Sequence, residues 1–506
     1  MPTPLDILAR RGCSLPVLST RDIRAAEQNI PETKLMARAG HAAAAVARHL
    51  LNAKPRARPR ILVIAGPGNN GGDGLIAAQH LKENDVRVAA LKPDSLAAHP
   101  DAWTGDVRNI ADALRWIQND PPDLVIDALF GAGGRPLSGE TAALADACRG
   151  LNVLSVDIPS GVRADSAAAD GAHFTATATL ALVAAKQCHV LRPARDACGE
   201  VWLDTLGLEK ALAKTAGGTR VNSAAEWGDE LRARTRRVAR SHKYDFGHLL
   251  VALGDFGGAA VLASRAGLRV GAGLVTVVGK NGAAAEVLEG CPSLMFRGTG
   301  DGDTAAVLSV LRDDERISAA VLGVGWGAEV GDLVSAVLTD ETLARRGLGV
   351  VLDAGALTAF ADAGGELCAL VRSFVEGGGG VVMTPHDGEF ARLADGLIDG
   401  AEFSRLERAG RLSEASGAVV VLKGSDCVVA DGGGALISAG LVPWLATAGT
   451  GDVLSGVVGG LMATGMGLFG AAGAGVWVHG EVGRRLGPGM VSSDMEGELA
   501  SVMSTL

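Results

Sequence analysis

Short, continuous apolar runs separated by longer mixed segments dominate the pattern of this chain. Apolar runs without alternation predict strands that are buried on both faces, which is typical of parallel sheets covered by helices. Because helical segments follow most of these runs, the pattern predicts an α/β fold with two doubly wound domains. The runs assigned as strands are 61–65, 86–91, 124–128, 153–157, 248–253, 274–278, 319–322, 350–353, 381–384 and 419–423.

Helical periodicity is clear near the N-terminus. Residues 18–52 have the pattern of one or two amphipathic helices, with 35–40 between them. The glycine-rich sequence 66–74 is expected to be a loop, and the helix that follows it is expected over 75–82.

The middle of the chain contains a candidate linker. Around residues 210–222 the periodic pattern ends and small and polar residues take over. A chain of 506 residues is also too long for a single hydrophobic core. We therefore expect two domains, at 1–218 and 219–506.

One uncharged segment resembles a membrane span. Residues 453–480 contain no Asp, Glu, Lys or Arg, and a bilayer is crossed by about 20 apolar residues. However, many glycines interrupt the segment, and 464–467 break it near the middle. We expect two buried, closely packed helices here and no membrane partner.

The composition narrows the class of protein. A net charge of −10 and an isoelectric point near 5.5 argue against nucleic acid as a partner. The seven cysteines form no CxxC motif and no paired spacing, which is typical of a reduced, cytoplasmic protein. Residues 1–18 carry charges and lack the apolar core of a targeting signal. We expect a cytoplasmic enzyme that acts on small molecules.

Polar side chains follow three of the predicted strands in the first half. Asn70 and Asp73 come after the first of them, whereas Asp127 and Asp157 lie at the ends of two later strands. Because a parallel sheet binds its ligand at the carboxyl ends of its strands, we expect the three aspartates to share one crevice.

A dinucleotide-binding dehydrogenase is the first alternative for this crevice. Residues 66–71 fit the pattern GxGxxG, and Asp94 lies about 20 residues farther on. In such a site, small apolar residues follow the glycines so that the helix packs closely on the strand. Asn69, Asn70 and Asp73 instead supply polar groups, which would crowd a pyrophosphate but suit hydroxyls, amides or a cation.

The motifs at 35–40, 66–74, 127–136 and 155–161 resemble those of the YjeF N-terminal domain, the NAD(P)H-hydrate epimerase family. The resemblance covers roughly 15–215. It implies a Rossmann-like domain that interconverts the R and S epimers of hydrated NADH and NADPH (NADHX and NADPHX). The substrate-binding positions that it implies are Asn69, Asn70, Gly71, Gly72, Asp73, Gly131, Ala132, Gly133, Gly134, Arg135, Pro136, Leu137 and Asp157.

The same resemblance implies a K⁺ ion held by Asn70, Asp127 and Ser160. Amide, carboxylate and hydroxyl oxygens are hard ligands, which suit such an ion rather than zinc. Arg135 would face the substrate phosphates with its planar guanidinium, and Asp157 is the candidate for proton transfer. Taken singly, Asp157 would be a helix cap or ion-pair partner, and Arg135 a solvated loop charge.

A second candidate site lies near the C-terminus. In 447–455, small residues precede Asp452, so the backbone can point several N–H groups into one concavity. A helix that starts at Asp452 would add its positive end, and the pattern therefore predicts a phosphate site. The Asp452 carboxylate could accept a proton from a substrate hydroxyl. The alternative is a plain turn in which Asp452 caps the helix.

Upstream of this segment, a predicted strand ends in Lys423 and Gly424. With 243–247, 323–327 and 384–389, these residues resemble the ADP/ATP-dependent NAD(P)H-hydrate dehydratase family, which has a ribokinase-like fold. The resemblance runs from about residue 225 to the end and implies ADP or ATP as co-substrate, with Mg²⁺ bridging its phosphates. The implied substrate positions are Ala259, Gly325, His386 and Asp452, and the implied nucleotide positions are Lys423, Gly424, Ser425, Asp426, Cys427 and Gly451.

Some of these positions have a simpler interpretation. Taken alone, His386 is a loop or core residue, and Glu389 is an early helix residue favoured by the helix dipole. Gly355 stands where the family commonly has an aspartate.

The two resemblances together predict a bifunctional repair enzyme. Its first domain would epimerise NADHX and NADPHX, and its second would phosphorylate the S epimer and then eliminate phosphate to restore NADH or NADPH. We also expect a homo-oligomer. Two alternatives remain open: a ribokinase-like small-molecule kinase with an accessory ligand-binding domain, and a non-enzymatic binding scaffold.

Overall fold

Two units make up the chain in a computed structural model. The first unit comprises Met1–Arg11 and Leu15–Val221, and the second comprises Gly12–Ser14 and Asn222–Leu506. The structure describes residues 1–53, 55–94, 102–212, 218–289, 291–300, 304–398, 403–440 and 442–506.

The sheet of the first unit has the strand order β1-β8-β7-β6-β5-β2-β3-β4. Its neighbouring strands are parallel except for β1, which runs antiparallel to β8. A short strand, β9, follows at the end of the unit. The strands are β1 (Thr3–Pro4), β2 (Arg60–Ala65), β3 (Asp85–Ala90), β4 (Val107–Asn109), β5 (Leu124–Ala128), β6 (Val153–Val156), β7 (Ala178–Leu182), β8 (Glu200–Asp204) and β9 (Thr219–Val221).

Helices cover both faces of this sheet. The helices are α1 (Leu5–Arg10), α2 (Thr20–Glu27), α3 (Glu32–Asn52), α4 (Asn69–His80), α5 (Ile110–Asn119), α6 (Glu140–Ala147), α7 (Gln187–Val190), α8 (Ala194–Ala197) and α9 (Glu209–Leu212). Buried residues of α3 and α4 pack with one face of the sheet, and those of α5 and α6 form a separate core on the other face. The unit is therefore doubly wound.

The sheet of the second unit has the strand order β12-β11-β10-β13-β14-β15-β16-β17-β18. Its strands are parallel from β12 to β16, whereas β17 and β18 add antiparallel neighbours at one edge. The strands are β10 (His248–Ala252), β11 (Leu274–Gly279), β12 (Met295–Gly298), β13 (Ile317–Leu322), β14 (Gly349–Leu352), β15 (Gly380–Met383), β16 (Val419–Leu422), β17 (Val428–Asp431) and β18 (Gly434–Ile437).

The helices of the second unit also bury both faces of their sheet. They are α10 (Gly228–Thr235), α11 (Gly257–Arg269), α12 (Ala284–Leu288), α13 (Thr304–Asp313), α14 (Gly331–Leu338), α15 (Glu341–Arg345), α16 (Gly355–Thr358), α17 (Gly364–Glu376), α18 (Asp387–Ala394), α19 (Arg405–Ser416), α20 (Thr450–Ala463), α21 (Leu468–Leu486) and α22 (Met495–Ser504). One core joins α11, α20, α21 and α22 to the sheet, and Leu250 and Val350 on its opposite face are buried as well. The predicted α/β class with two doubly wound units is confirmed.

The predicted strands all occur, with small differences at their ends, but β1, β4, β7, β8, β9, β12, β17 and β18 were not predicted. Two helical predictions are wrong. Residues 35–40 lie inside α3 rather than between helices, and α4 begins at Asn69, so the expected loop is in part the first turns of a helix. The predicted linker falls partly on 213–217, which lie outside the described residues.

The uncharged C-terminal segment forms the two buried helices that the sequence predicts, α20 and α21. Within the described ranges, no helix is both long enough and apolar enough to cross a membrane. Glycines let α20 approach its neighbours closely: a Cβ at Gly460 would lie 2.7 Å from the Cα of Gly267 in α11, and one at Gly456 would overlap the carbonyl oxygen of Ala263.

This close packing predicts a strong position dependence for glycine replacement. Gly456→Ala should lower the free energy of unfolding by about 1–3 kcal/mol, because the added methyl group meets backbone that cannot move aside easily. Gly480→Ala in α21 is the matched control, since a Cβ there meets nothing within 4 Å. It should raise stability by about 0.5–1 kcal/mol. Denaturant unfolding followed by tryptophan fluorescence measures both. Equal effects would contradict the packing argument.

Candidate active sites

The carboxyl ends of β2, β5 and β6 meet in the first unit, and Asp127 of β5 lies at their centre. Its carboxylate is fully buried and accepts hydrogen bonds from the Ser160 amide (2.8 Å), the Ser160 hydroxyl (2.6 Å) and the Ser155 hydroxyl (2.9 Å). Burial raises the pKa of Asp127, and these donors oppose the rise. Asp127 therefore joins the end of β5 to β6 and to the turn after it.

Asn70 lies beside this cluster, in the first turn of α4. Its side chain is buried, and neither of its amide atoms has a hydrogen-bond partner among the described residues. A Cβ placed on Gly131 would lie 3.4 Å from the Asn70 side chain and 3.1 Å from Oδ2 of Asp157, so the two side chains flank one glycine. Leaving a buried amide unpaired costs free energy, and such groups are typical of ligand sites.

Asp157 follows β6 in a three-residue turn with a positive φ of 68°. Its Oδ2 accepts a hydrogen bond from the Ala132 amide at 2.9 Å, and its Oδ1 accepts one from Nζ of Lys186 at 2.6 Å. Burial acts to raise the pKa of Asp157, but the Lys186 ammonium outweighs burial and holds this pKa below its usual value. Asp157 is therefore ionised at neutral pH.

Lys186 is the residue of this site that the sequence analysis missed. Its side chain is only 2% exposed, although lysine is almost never buried without a partner. The sequence did offer one indication of a buried, paired lysine: Lys186 is the single charged residue among the small apolar residues that follow β7. Its partner, Asp157, is remote in sequence, so no local motif joins them.

The pKa of Asp73, in α4, is shifted in the opposite direction. Burial raises its pKa well above the usual value, and repulsion from Asp157, Glu27 and Glu32 adds to the rise. The pKa of Glu27, at the end of α2, is raised too, first by burial and then by the negative charge of Asp157. The crevice thus contains a carboxyl group whose pKa is raised near one whose pKa is lowered, and opposite shifts of this kind separate acids from bases in active sites.

The glycine-rich loop after β5 forms the rim of the crevice. Arg135 is exposed, with its guanidinium 5.4 Å from the centre of the Phe130 ring. Leu137 instead packs into the core under α5 and α6. A Cβ on Gly133 would lie 3.2 Å from the guanidinium of Arg24, so α2 also reaches this rim, which the sequence analysis did not foresee.

The second unit has an ion pair at the ends of β14 and β16, in which the Asp353 side chain is buried and that of Lys423 is 19% exposed. Nζ of Lys423 lies 2.6 Å from Oδ1 of Asp353, and Oδ2 of Asp353 accepts a hydrogen bond from the Ser455 hydroxyl at 2.6 Å. Burial acts to lower the pKa of Lys423, but Asp353 and then Glu389 outweigh it, so the pKa is raised. Asp353 and Ser455 were not among the predicted site residues.

Helix α20 begins beside this pair, at Thr450 rather than at Asp452, with Gly449 before it at a φ of 84°. The backbone N–H groups of its first turn have no partners within the helix. A Cβ on Gly451 would lie 3.7 Å from Nζ of Lys423, so the ammonium stands next to these N–H groups. A helix N-terminus and a lysine together form an anion site.

Asp452 lies in the first turn of α20. Burial raises its pKa to about 6, and the negative charge of Asp353 contributes to the rise. A carboxylate with this pKa is ionised at neutral pH and is well suited to accept a proton.

The other predicted residues of this site differ in how they are placed. Ala259 and Gly325 are neighbours, since a Cβ on Gly325 would lie 3.1 Å from that of Ala259. His386 caps α18: its Nδ1 accepts hydrogen bonds from the amides of Gly388 (3.0 Å) and Glu389 (3.2 Å). Glu389 completes this capping box by accepting from the His386 amide at 2.8 Å. Both side chains therefore have a structural role.

In the loop after β16, the later residues are turned inward. Asp426 is buried against Arg405, with 3.1 Å between Oδ1 and Nε. Burial raises the pKa of the Cys427 thiol to about 12, so this thiol is unreactive. Gly424 and Ser425 are the more exposed members of the loop. Gly355 has no room for a side chain, since a Cβ would lie 2.5 Å from the carbonyl oxygen of Trp326.

Comparison with known families covers both units. Residues 32–188 match the family described as YjeF-related protein N-terminus, and 248–499 match NAD(P)H-hydrate dehydratase. The chain is similar to a solved ADP/ATP-dependent NAD(P)H-hydrate dehydratase from Bacillus subtilis, co-crystallised with ATP and Mg²⁺. That similarity has 26% identity and a TM-score of 0.46, and it covers 55% of this chain and 96% of the other.

Two relatives match along nearly their whole length. The bifunctional NAD(P)H-hydrate repair enzyme Nnr of Escherichia coli K12 is 33% identical over 96% of this chain and 93% of its own. The enzyme of the same name from Coxiella burnetii is 32% identical over 90% of each chain. The interpretations as a kinase with an accessory domain and as a scaffold are therefore set aside. The chain belongs to the family of bifunctional NAD(P)H-hydrate repair enzymes.

Proposed function

We propose that the two sites divide the repair of NADHX and NADPHX between a domain at 1–218 and a domain at 219–506. The first acts as an isomerase on the R and S epimers, and the second acts as a lyase on the S epimer with ADP or ATP as co-substrate. The observation that carries this proposal is that each unit has its own strand-end site, with a lysine paired to a buried aspartate and a second carboxyl group of raised pKa.

In the first site, epimerisation would break and re-form the C–O bond on the hydrated ring carbon. Asp73, whose pKa is raised, donates its proton to the leaving hydroxyl, and the adjacent ring nitrogen supplies the electrons that expel water. Water then adds to the opposite face, and the ionised Asp157 takes the proton that it loses. The reverse reaction exchanges these roles. The opposite pKa shifts of Asp73 and Asp157 support this assignment.

Asn70, Gly71, Gly72 and the loop 131–137 would surround the substrate, with Arg135 facing its phosphates. A K⁺ ion fits the oxygens of Asn70, Asp127 and Ser160, because the Asn70 amide has no hydrogen-bond partner among the described residues. Such an ion would supply positive charge beside the substrate.

In the second site, Asp452 removes the proton from the hydroxyl of the S epimer, and that oxygen takes a phosphoryl group from the nucleotide. Loss of phosphate, together with a proton from the adjacent ring carbon, then restores NADH or NADPH. Lys423 and the N–H groups of the first turn of α20, including Gly451, would bind the phosphates, with the loop 424–427 beside the nucleotide. Mg²⁺ would be held chiefly by nucleotide phosphate oxygens, as is usual, and would neutralise their charge.

Two further properties stay proposals. We propose that the protein is cytoplasmic, because its seven free cysteines are typical of a reducing compartment. The expected homo-oligomer is to be measured by sedimentation.

Replacement of Asp452 should abolish the nucleotide-dependent step. Asp452→Asn is expected to lower the kcat of S-NADHX dehydration by about 10²–10⁴-fold, the usual contribution of a general base. NADH absorbance from purified S-NADHX with ADP or ATP measures this. Asp332→Asn, an exposed residue of α14, is the matched control and should be unchanged. A loss of less than about tenfold would remove Asp452 from this role.

The wild-type enzyme should also lose dehydratase activity as the pH falls through about 6. Below that pH Asp452 is protonated and cannot accept the substrate proton, whereas above it the base is ionised. The kcat measured on either side of pH 6 tests this, and a flat profile would contradict it.

Replacement of Asp157 should leave only the S epimer as substrate. In a mixture of epimers with excess nucleotide, Asp157→Asn is expected to give a burst of NADH from the S fraction and then a slow phase limited by spontaneous epimerisation. Asp146→Asn, an exposed change at the end of α6, is the matched control. If the Asp157 variant converted both epimers at the wild-type rate, Asp157 would not be the proton-transfer group.

The K⁺ proposal has a readout that does not depend on catalysis. Replacing the Na⁺ of the buffer by K⁺ should raise the melting temperature of the wild-type chain, because an ion that binds only the folded state stabilises that state. Asn70→Ala should remove this response. Anomalous scattering should show the ion between Asn70, Asp127 and Ser160, and a crystal grown in K⁺ without such a peak would disprove the site.

A further inference from the structure

A buried histidine with no part in the proposed chemistry lies behind Asp157. His189 belongs to α7 and is fully buried. Its Nε2 lies 2.8 Å from the carbonyl oxygen of Asp157, and its Nδ1 lies 3.0 Å from the amide nitrogen of Lys186. Because the carbonyl can only accept and the amide can only donate, Nε2 carries the proton and Nδ1 does not. One imidazole thus bridges the backbones of both members of the ion pair.

The backbone that His189 holds is strained. Asp157 is the middle residue of a turn in which the Ile158 amide donates to the Val156 carbonyl at 2.9 Å, with a φ of 68°. Three-residue turns of this kind are rare and strained for residues other than glycine, and they persist only where the surroundings impose them. The hydrogen bond from Nε2 of His189 to the Asp157 carbonyl is such a restraint.

The second unit contains a histidine that corresponds to His189. His479, in α21, is buried, and its Nε2 lies 2.8 Å from the carbonyl oxygen of Thr450. Thr450 is the first residue of α20, directly after Gly449 with its positive φ and shortly before Asp452. Burial is the main reason that the pKa is lowered to about 3 for His189 and to about 4 for His479. Both rings are therefore neutral at working pH and offer an N–H without adding a charge.

We propose that His189 and His479 are positioning residues, each of which holds the backbone that carries a reactive aspartate through an Nε2–H hydrogen bond. This inference rests on the proposed roles of Asp157 and Asp452. Neither ring needs to touch substrate. Its contribution is to fix where the carboxylate points, and a displacement of about 1 Å in a reacting group can cost about 10²-fold in rate.

Substitution of each histidine by glutamine or by asparagine distinguishes the effect of the Nε2–H hydrogen bond from the effect of packing volume. Glutamine can place its N–H near the position of Nε2, whereas asparagine reaches only the position of Nδ1. In the full chain, His189→Asn should lower the kcat of epimerisation by about tenfold or more, with a smaller change in KM. His189→Gln should recover most of the loss. R-to-S conversion without nucleotide, followed by chromatography, measures the epimerase alone.

The two activities of one chain serve as reciprocal controls. His189→Asn should leave dehydration of S-NADHX at the wild-type rate. His479→Asn should lower dehydration by about tenfold or more and leave epimerisation unchanged, with His479→Gln again restoring most of the rate. The KM of the affected reaction reports whether its own unit is still folded and binds substrate.

Three results would overturn the inference: wild-type kcat in both asparagine variants, equal losses in the asparagine and glutamine variants, or loss of both activities from a single substitution. Asp157→Asn and Asp452→Asn, measured in the same assays, separate this inference from the proposed function. If the aspartate variants stay active, the assignment of the reactive groups fails. If they are inactive while the histidine variants are not, only the positioning inference fails.

Discussion

A lysine paired with a buried aspartate at the ends of the strands is the interaction on which both sites depend. Lys186 and Asp157 form it in the first unit, Lys423 and Asp353 in the second, each at 2.6 Å. Taking two charges out of water costs several kcal/mol per ion, and their attraction offsets this only when further hydrogen bonds complete the arrangement. The Ala132 amide supplies one in the first unit and the Ser455 hydroxyl supplies one in the second.

The two pairs have similar geometry, but the paired aspartate has a different role in each unit. In the first unit the paired aspartate is the proposed reactive group: Lys186 holds the pKa of Asp157 below its usual value, whereas burial raises the pKa of Asp73. In the second unit the paired Asp353 is a support. It keeps Lys423 charged for an anion and, through its own negative charge, contributes to raising the pKa of the nearby Asp452 to about 6. The same interaction thus accompanies two carboxyl groups with opposite pKa shifts in one site, and a charged lysine beside a carboxyl group of raised pKa in the other.

Sequence reasoning identified what local patterns encode. Buried parallel strands are continuous apolar runs, so most were predicted, whereas β17 and β18 form an antiparallel edge that such runs do not distinguish. The start of α4 was misjudged because glycine disfavours helices, and tertiary packing overrode that preference. Lys186 and Asp353 were missed because their partners are 29 and 70 residues away, and no short motif links residues so far apart.

In helix α20, the packing of the helix body in the core determines where the N-terminus at the candidate site lies. The body of the helix approaches α11 at Gly456 and Gly460, and a Cβ on Gly459 would lie 2.7 Å from Val321 of β13. These contacts fix the helix axis, so its N-terminus is aimed at the end of the sheet. Ser455, one residue before the first of these glycines, binds Asp353. The apolar pattern that resembles a membrane span is therefore the feature that holds the anion site against Lys423.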